Sequence, residues 1–551
     1  MPQTSGFEKD AFSMNPILTG NTAKFQRPNL LWPLLLILTF LLFGALTLDS
    51  QSFLSPDDHG KDLYAFQEFL KGQWPCRDYW WQYGPLMLFY YSFWLKVFGI
   101  HLISIRLGVA FLYLASAFLT YRSLRLFISP ALAFLASLAF LIPWIIYPYY
   151  NFNHLGAPPF ILLSVFCLWK YFLNQRLRWA YGGTLALVGL AWIKINIGIT
   201  SFAAFYLSLL FFLFLTRPSF SRRHLFFLPL LFTFLTAGAY LVMYSGTSLT
   251  YAGQCLNVQR KYHITGGTPR DTCIYLIDLF FVWQRYRLWW LALLLIFSLL
   301  GFLGLRRRSL APDQRRILLG VGISLLLYEL GTAVMELHFL ARSTRFDYWS
   351  IPILTLFLGL SANEAKNLLA PRLKVFSGIL IFLAVLISPI QSLSQTLRSR
   401  TSDRYLDFER GKIYITHLNS STVETMKKVT RFLLENTKPG DSILTLPIAP
   451  LYCFLSGRSH AVRELYFGCV GRDAHLRDWQ EERVLRELEI KKVPLVVLSN
   501  LETPAPGLGG FGKDCCQKIA RYVLEHYKEV RLFEYGEKGK ARAYTKIFQK
   551  I

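Results

Sequence analysis

Hydrophobic and polar positions divide the chain into two unlike parts. From Asn29 to Leu393, apolar runs of roughly 15 to 20 residues alternate with short polar stretches, and that length suits a helix crossing a bilayer. The runs are Asn29 to Leu48, Leu102 to Tyr121, Ala131 to Tyr147, Pro158 to Phe172, Ala180 to Ile193, Gly198 to Leu215, Leu225 to Tyr244, Leu288 to Leu305, Ile317 to Leu337, Tyr348 to Leu360 and Val375 to Leu393. They predict a polytopic α-helical membrane protein of about eleven transmembrane helices. After Leu393 the pattern becomes that of a soluble domain. Thr422 to Glu435 and Asp514 to Tyr527 have helical spacing, whereas Ser442 to Leu446, Pro494 to Leu498, Glu529 to Glu534 and Ala541 to Ile547 read as strands. Lys438-Pro439-Gly440-Asp441 is a helix-to-strand turn. The expected organisation is a leader over 1–28, a transmembrane module over 29–393 with an outer loop at 49–101, and a detached α/β domain over 394–551.

The outer loop is more than a linker. Ser55-Pro56-Asp57-Asp58-His59 opens an amphipathic helix ending at Lys71-Gly72, with Leu63, Phe66, Phe69 and Leu70 on one face. Pro85 to Phe98 forms a second, aromatic-rich helix suited to the headgroup region, so the loop is expected to lie on the bilayer. The first apolar run follows a polar leader and lacks a small-residue cleavage site before Asp49, so it is expected to remain as a signal anchor.

Of the 551 residues 53% are hydrophobic, which fits a membrane protein, and the formal charge of +25 invites a nucleic-acid reading. Membrane sidedness explains the charge better. Arg122 and Arg125; Lys170, Arg176 and Arg178; Arg217, Arg222 and Arg223; Arg306 to Arg308 with Arg315 and Arg316; and Lys366, Arg372 and Lys374 occupy alternate loops. Tyr147 to Ala157 has no Lys or Arg, and the segment after the first run carries Asp49, Asp57, Asp58, Asp62, Glu68 and Asp78. By the positive-inside rule the N-terminus is cytoplasmic and the C-terminal domain extracytoplasmic, in a cell (inner) membrane. Of the eight cysteines, Cys255 and Cys273 bracket one outer loop, but spacing does not settle pairing. There is no CxxC pair and no HxxxH, so no zinc pattern.

Several charged residues are candidates for chemistry, each with a plainer alternative. Asp57 and Asp58 sit where acids stabilise a helix N-terminus, with Ser55 as cap and Pro56 at the first helical position. Lys194 interrupts an apolar stretch, where an ammonium costs ~2.5 to 3.5 kcal/mol at the bilayer centre, or it snorkels at the outer end of the span. Arg345, in Arg345-Phe346-Asp347-Tyr348, is a phosphate-binding cation or an interfacial anchor beside Tyr348 and Trp349. Arg77 is a third cation, unless it only pairs with Asp78; Lys61 and Arg342 stand behind these. Glu329 and Glu336 fall on or beside one apolar run, Glu329 near its middle.

The outer loop then carries Trp74-Pro75-Cys76-Arg77-Asp78, Trp80-Trp81-Gln82-Tyr83-Gly84-Pro85, Phe98-Gly99 and Arg106-Leu107. With the acid pair and the helix ending in Gly72, this resembles the polyprenyl-phosphate-sugar-dependent glycosyltransferases of the C superfamily, which include protein mannosyltransferases and aminoarabinose transferases. The likeness is strongest over Asp57 to Arg125 and extends weakly over nearly the whole chain. It implies a glycosyltransferase C-like fold, with Asp57 acting at the acceptor, Asp58 beside it, and Lys194 and Arg345 at the lipid phosphate; Arg77, Asp78, Lys61 and Tyr83 are further candidates to bind substrate.

The implied reaction moves a hexosyl or pentosyl group from a polyprenyl-phosphate donor to an extracytoplasmic lipid, polysaccharide or protein, with inversion. One carboxylate suffices, because a lipid phosphate leaves as a stabilised anion, whereas a glycosidase must protonate an alkoxide. What remains is a base for the acceptor hydroxyl and cations for the phosphate. Trp74, Tyr79, Trp80, Trp81 and Tyr83 are candidates to stack on sugars. Two departures stand out. Gly84 occupies the place of a Lys in aminoarabinose transferases, and the loop Tyr150 to Leu155 lacks the carboxylate of metal-dependent members. No cofactor is required; a divalent cation on Asp57 and His59 is permitted but not favoured. The alternatives are a transporter or flippase of lipid-linked sugars, and a noncatalytic envelope assembly protein.

Overall fold

Helices in the first part of the chain bury large apolar side chains together with small and polar ones, and several keep a further apolar face exposed. The computed structural model describes residues 30–51, 54–140, 152–216, 222–248, 312–340, 393–416, 418–465, 478–499, 516–535 and 543–551, with a few positions and runs of two or three residues between them. Leu31–Thr47 (α1) leads through a short strand, Ser50–Gln51 (β1), to Asp58–Leu70 (α2) and Leu86–Phe98 (α3). There follow Leu102–Leu124 (α4), Pro130–Ser137 (α5), a 3-10 turn at Phe152–Gly156, Ala157–Asn174 (α6), Leu177–Ile193 (α7), Ile195–Thr216 (α8), Arg222–Met243 (α9) and Pro312–Leu340 (α10). Among the described residues four helices are long and apolar enough to cross a membrane: Leu102–Leu124, Phe152–Asn174, Ile195–Thr216 and Arg223–Met243. The runs at Leu288 to Leu305 and Val375 to Leu393 lie almost wholly outside the described residues.

Phe226, Phe234, Leu241 and Val242 on α9 are exposed, as are Leu34, Leu38, Leu41 and Leu42 on α1. Such continuous apolar faces are what lipid contact requires. Between helices the contacts are close and partly polar. A β-carbon on Gly198 would lie 2.4 Å from Ala191 Cα, Ser164 Oγ and Tyr328 OH are 2.7 Å apart, and Trp169 Nε1 donates to Ser324 Oγ at 3.0 Å.

The later part of the chain contains Tyr405–Leu406 (β2), Ile413–Ile415 (β3), Ser420–Asn436 (α11), Ser442–Leu446 (β4), Leu451–Ser456 (α12), Ser459–His460 (β5) and Cys469–Val470 (β6). It continues with Asp478–Lys491 (α13), Leu495–Ser499 (β7), Leu508–Gly509 (β8), Gln517–His526 (α14), Tyr527–Tyr535 (β9) and Ala543–Lys550 (β10). Five strands form one sheet in the order β5-β4-β7-β10-β9. β4 runs parallel to β5 and β7, and β10 runs antiparallel to β7 and β9. Alternation along the strands sorts side chains to two faces. Ile443, Leu495, Val497 and Ile547 join one core, whereas Leu444, Leu446, Val496 and Phe548 join a second with Val484, Ile519 and Val523.

The first of these cores is continuous with the membrane helices and the outer loop, so the C-terminal segment is not detached. β1, from the outer loop, pairs in parallel with β3. The reading of α2 as a bilayer-surface helix is also corrected: His59 through Glu68 are all buried. One side of α2 meets α3, and α12 covers another. α3 keeps an exposed apolar face, with Phe89, Phe93 and Val97 at helical spacing.

Candidate active site

The turn before α2 is built by its own side chains. Asp57, rather than Ser55, is the N-cap, and its carboxylate accepts from the Asp58 N–H. Ser55 Oγ donates to the same carboxylate and accepts from Asp58 N–H at 3.2 Å. The capping alternative for Asp57 is therefore realised, and Asp57 remains half-buried at the mouth of the cluster. Asp58 is 43% exposed and pairs with Lys61 Nζ at 3.1 Å. A half-exposed carboxylate remains reachable by a substrate while its geometry is set by the helix.

Lys61 is buried, and its ammonium lies 5.3 Å from the Tyr83 ring centre and 5.7 Å from that of Trp80. Burial works against this charge, but Tyr83, Asp58 and Asp62 outweigh it and raise Lys61 above its ordinary range. Burial pushes the Tyr83 phenol upward. Asp62, one helical turn beyond Asp58, is fully buried. Its Oδ2 accepts from Asn153 N–H at 2.9 Å. Burial drives its carboxyl up to about 7, against the opposing pull of Lys61 and the Asn153 N–H.

Lys194 occupies the break between α7 and α8. Its backbone is extended, at φ −151° and ψ 114°, which interrupts the helical hydrogen-bond ladder and turns the chain between α7 and α8. Its side chain is buried. The Phe152–Gly156 turn and the Trp81–Gly84 segment close over this break. Gly84 N–H donates to Ile193 O at 3.0 Å, and a β-carbon on Gly84 would lie 1.9 Å from Trp192 O. Gly84 is thus held for backbone approach, so a longer side chain there would displace the break. The His154 ring stands edge-on to Tyr83, with centres 5.1 Å apart.

Asp58, Lys61, Tyr83 and Lys194 are electrostatically joined in one region, with Asp57 at its edge and Asp62 within it. Arg77 and Asp78 are used differently. Arg77 Nη2 and Asp78 Oδ2 are 2.7 Å apart, and Arg77 is 52% exposed. Asp78 Oδ2 also accepts from Trp74 N–H at 2.6 Å, so Asp78 stitches its turn, and the Arg77 hydrogen bond holds its carboxyl below the usual range. Trp81 is fully buried and Trp80 and Tyr79 nearly so, which makes those rings part of the packing. Arg345 and Arg342 lie outside the described residues, as do Cys255 and Cys273. Glu329 is half-buried on α10; the Glu336 side chain is outside the described residues.

Sequence reasoning gave no role to Asp62 or Asn153. The available signal was the spacing Asp62, Phe66, Leu70, which puts an acid on the apolar face of α2. Of the residues proposed for a cation, His59 Nδ1 accepts from Ser55 N–H at 3.2 Å, and Asp57 Oδ1 accepts from Ser55 Oγ and from Asp58 N–H. Among the described residues there is no group of three or more His, Cys, Asp or Glu arranged to hold a metal ion.

No protein-family model and no curated protein sequence matches the chain. Solved structures do match it in fold. ArnT from Cupriavidus metallidurans bound to undecaprenyl phosphate is 13% identical, with a TM-score of 0.53 over 94% of this chain and 98% of that one. The apo state of the same protein gives 12% identity, a TM-score of 0.53 and the same coverage. The Archaeoglobus fulgidus oligosaccharyltransferase in its apo form gives 11% identity and a TM-score of 0.50 over 85% of this chain and 70% of that one. Likeness at such identity is likeness of fold, and with the apolar spanning helices it makes this chain a multi-pass membrane protein with the glycosyltransferase C-like fold that its outer loop resembles.

Proposed function

We propose that the protein transfers a sugar from a polyprenyl-phosphate donor to an extracytoplasmic acceptor. The observation that carries this reading is the juxtaposition of half-exposed acids with buried cations: Asp57 and Asp58 open α2, and Lys61 and Lys194 lie behind them. Such a site offers a base toward water and positive charge toward lipid, matching the two ends of the displacement.

In the reaction the acceptor hydroxyl gives its proton to the Asp57 carboxylate as its oxygen attacks the anomeric carbon. The bond from that carbon to the phosphate oxygen breaks on the opposite face, so configuration inverts, and the lipid phosphate departs as an anion. Lys194 and Lys61 hold that anion, with Arg345 as a further cation. Asp58 keeps the Lys61 ammonium in place. Asp57 is the catalytic residue, Asp58 its neighbour, and Lys61, Lys194, Arg345 and Tyr83 contact the donor; Arg77 and Asp78 shape the rim. No metal or cofactor enters the scheme.

The reading also assigns the C-terminal α/β segment and the outer loop to the extracytoplasmic side of an inner membrane, with the N-terminus in the cytoplasm, and takes about eleven spans overall. The partners are membrane lipid, the lipid-phosphate sugar and a glycan, lipid or protein acceptor, with no nucleic acid. The test is incubation of the purified full-length protein with a panel of polyprenyl-phosphate sugars and candidate acceptors. Release of polyprenyl phosphate that depends on Asp57 is expected; movement of intact donor across vesicles without release would identify a flippase instead.

A further inference from the structure

Asp62 is a buried acid that the displacement does not use. Its Oδ2 accepts the Asn153 N–H at 2.9 Å, and Asn153 Nδ2 donates in turn to Ile193 O at 3.3 Å. Ile193 is the last residue of α7, and Lys194 follows it directly. The same carbonyl takes the Gly84 N–H, so two donors from different segments satisfy a helix-end oxygen that would otherwise lack a partner. The Lys194 backbone is held on both sides, by its N–H to Leu190 O at 3.0 Å and by its carbonyl accepting from Gly198 N–H at 3.1 Å.

We propose that Asp62 and Asn153 are positioning residues that aim the Lys194 ammonium at the donor phosphate. This rests on the reading of Lys194 as a phosphate-binding cation. The path runs from α2, through the Phe152–Gly156 turn, to the break between α7 and α8, and neither residue touches the reacting atoms. A purely structural clasp would satisfy all its polar atoms, yet Asp62 Oδ1 and Asn153 Oδ1 are buried without a hydrogen-bond partner among the described residues. A helix-borne carboxylate accepting a backbone N–H is a strong, directional tether. The charged and titratable groups around Asp62 are Lys61 and Asp58 on its own helix, Tyr83 from the facing segment and Tyr91 from α3; Lys61 connects these to His154 and Lys194.

The experiment measures the affinity of the full-length protein for undecaprenyl phosphate, together with monodispersity and thermal unfolding of each variant. Lys194→Ala is expected to weaken binding about tenfold, the loss of one charge-assisted contact. Asp62→Ala and Asn153→Ala are expected to weaken it several-fold. Asp62→Asn, whose amide oxygen still accepts the Asn153 N–H, restores most of the affinity. The double variant Asp62→Ala/Lys194→Ala binds no more weakly than Lys194→Ala, because the tether acts only through the lysine. Additive losses in the double variant, or full affinity in a folded Asn153→Ala, would overturn the positioning role while leaving Lys194 in the site. Full affinity in Lys194→Ala would instead remove the lysine from the donor site, and the tether's purpose with it.

Discussion

Gly60 rests directly against Leu451: a β-carbon at Gly60 would lie 2.4 Å from the Leu451 backbone nitrogen. That nitrogen donates to Pro56 O at 3.2 Å, so the first residue of α12 holds the turn that presents Asp57 and Asp58. The C-terminal segment is therefore part of the machinery that shapes the acidic turn, across nearly 400 residues of sequence.

Gly60→Ala tests this contact. Inserting a methyl group where none fits costs about 1–3 kcal/mol, and the available relief is separation of α12 from α2. Earlier proteolytic release of the C-terminal segment and a loss of sugar transfer are expected. Gly44→Ala is the control, because nothing lies within 4 Å of a β-carbon there. Equal behaviour of the two variants would show that the contact is not needed.

Asp57→Asn separates capping from chemistry. Asparagine caps a helix about as well as aspartate, so insertion and folding are expected to persist while the base is lost and transfer falls by a factor of ~100 or more. Asp58→Asn loses the Lys61 pair and is expected to fall less. If Asp57→Asn lowers folded protein and activity in parallel, capping alone explains the residue.

His460 makes the attachment of the C-terminal segment sensitive to acid. Its Nε2 accepts from Thr445 N–H at 3.1 Å while Nδ1 donates to Val462 O at 2.9 Å, an arrangement open only to the neutral ring. Its backbone N–H donates to Tyr64 OH on α2 at 2.9 Å. Burial lowers its pKa from 6.5 to about 4. The unfolded ring thus takes up a proton before the folded one does. The contribution to stability is complete above pH 6.5 and is lost progressively on acidification toward 4, by an amount of order a few kcal/mol. Melting of the C-terminal segment followed from pH 8 to 4.5 is expected to show this slope, and His460→Asn to reduce it; an unchanged slope in the variant rejects the assignment.

The sequence made the periodic elements legible and left their long-range partners hidden. Ser442 to Leu446 forms the strand its apolar run predicts, and the spacing of Thr422 to Glu435 becomes α11. The hydrophobic face of α2 was equally plain, but nothing local in the sequence marks what its polar face meets. In the structure Gln67 on that face accepts from the Arg410 guanidinium, and Lys71 Nζ reaches Ser459 Oγ at 3.3 Å. Those partners lie more than 300 positions away, beyond any local periodicity. Asp62 was hidden for the same reason, since its partner Asn153 comes from a turn whose only local mark is the absence of charge.

Every site assignment depends on topology, which is also the most direct test. The loop from Arg306 to Arg316 holds five arginines, at 306, 307, 308, 315 and 316, whereas Tyr147 to Ala157 holds no Lys or Arg. Orientation follows such asymmetry near span ends, so a tag within Arg306 to Arg316 is expected in the cytoplasm, with Asp57 and Ile551 outside. β1 pairs with β3, and Trp80 N–H donates to Arg463 O at 2.9 Å. The outer loop and the C-terminal segment must therefore share one side whichever way the protein is inserted. Cysteine labelling at Asp57 and at Ile551 is expected to report the same compartment, opposite to the Arg306 to Arg316 loop. Labelling of both from the cytoplasm would preserve the fold and reject an outer-face reaction.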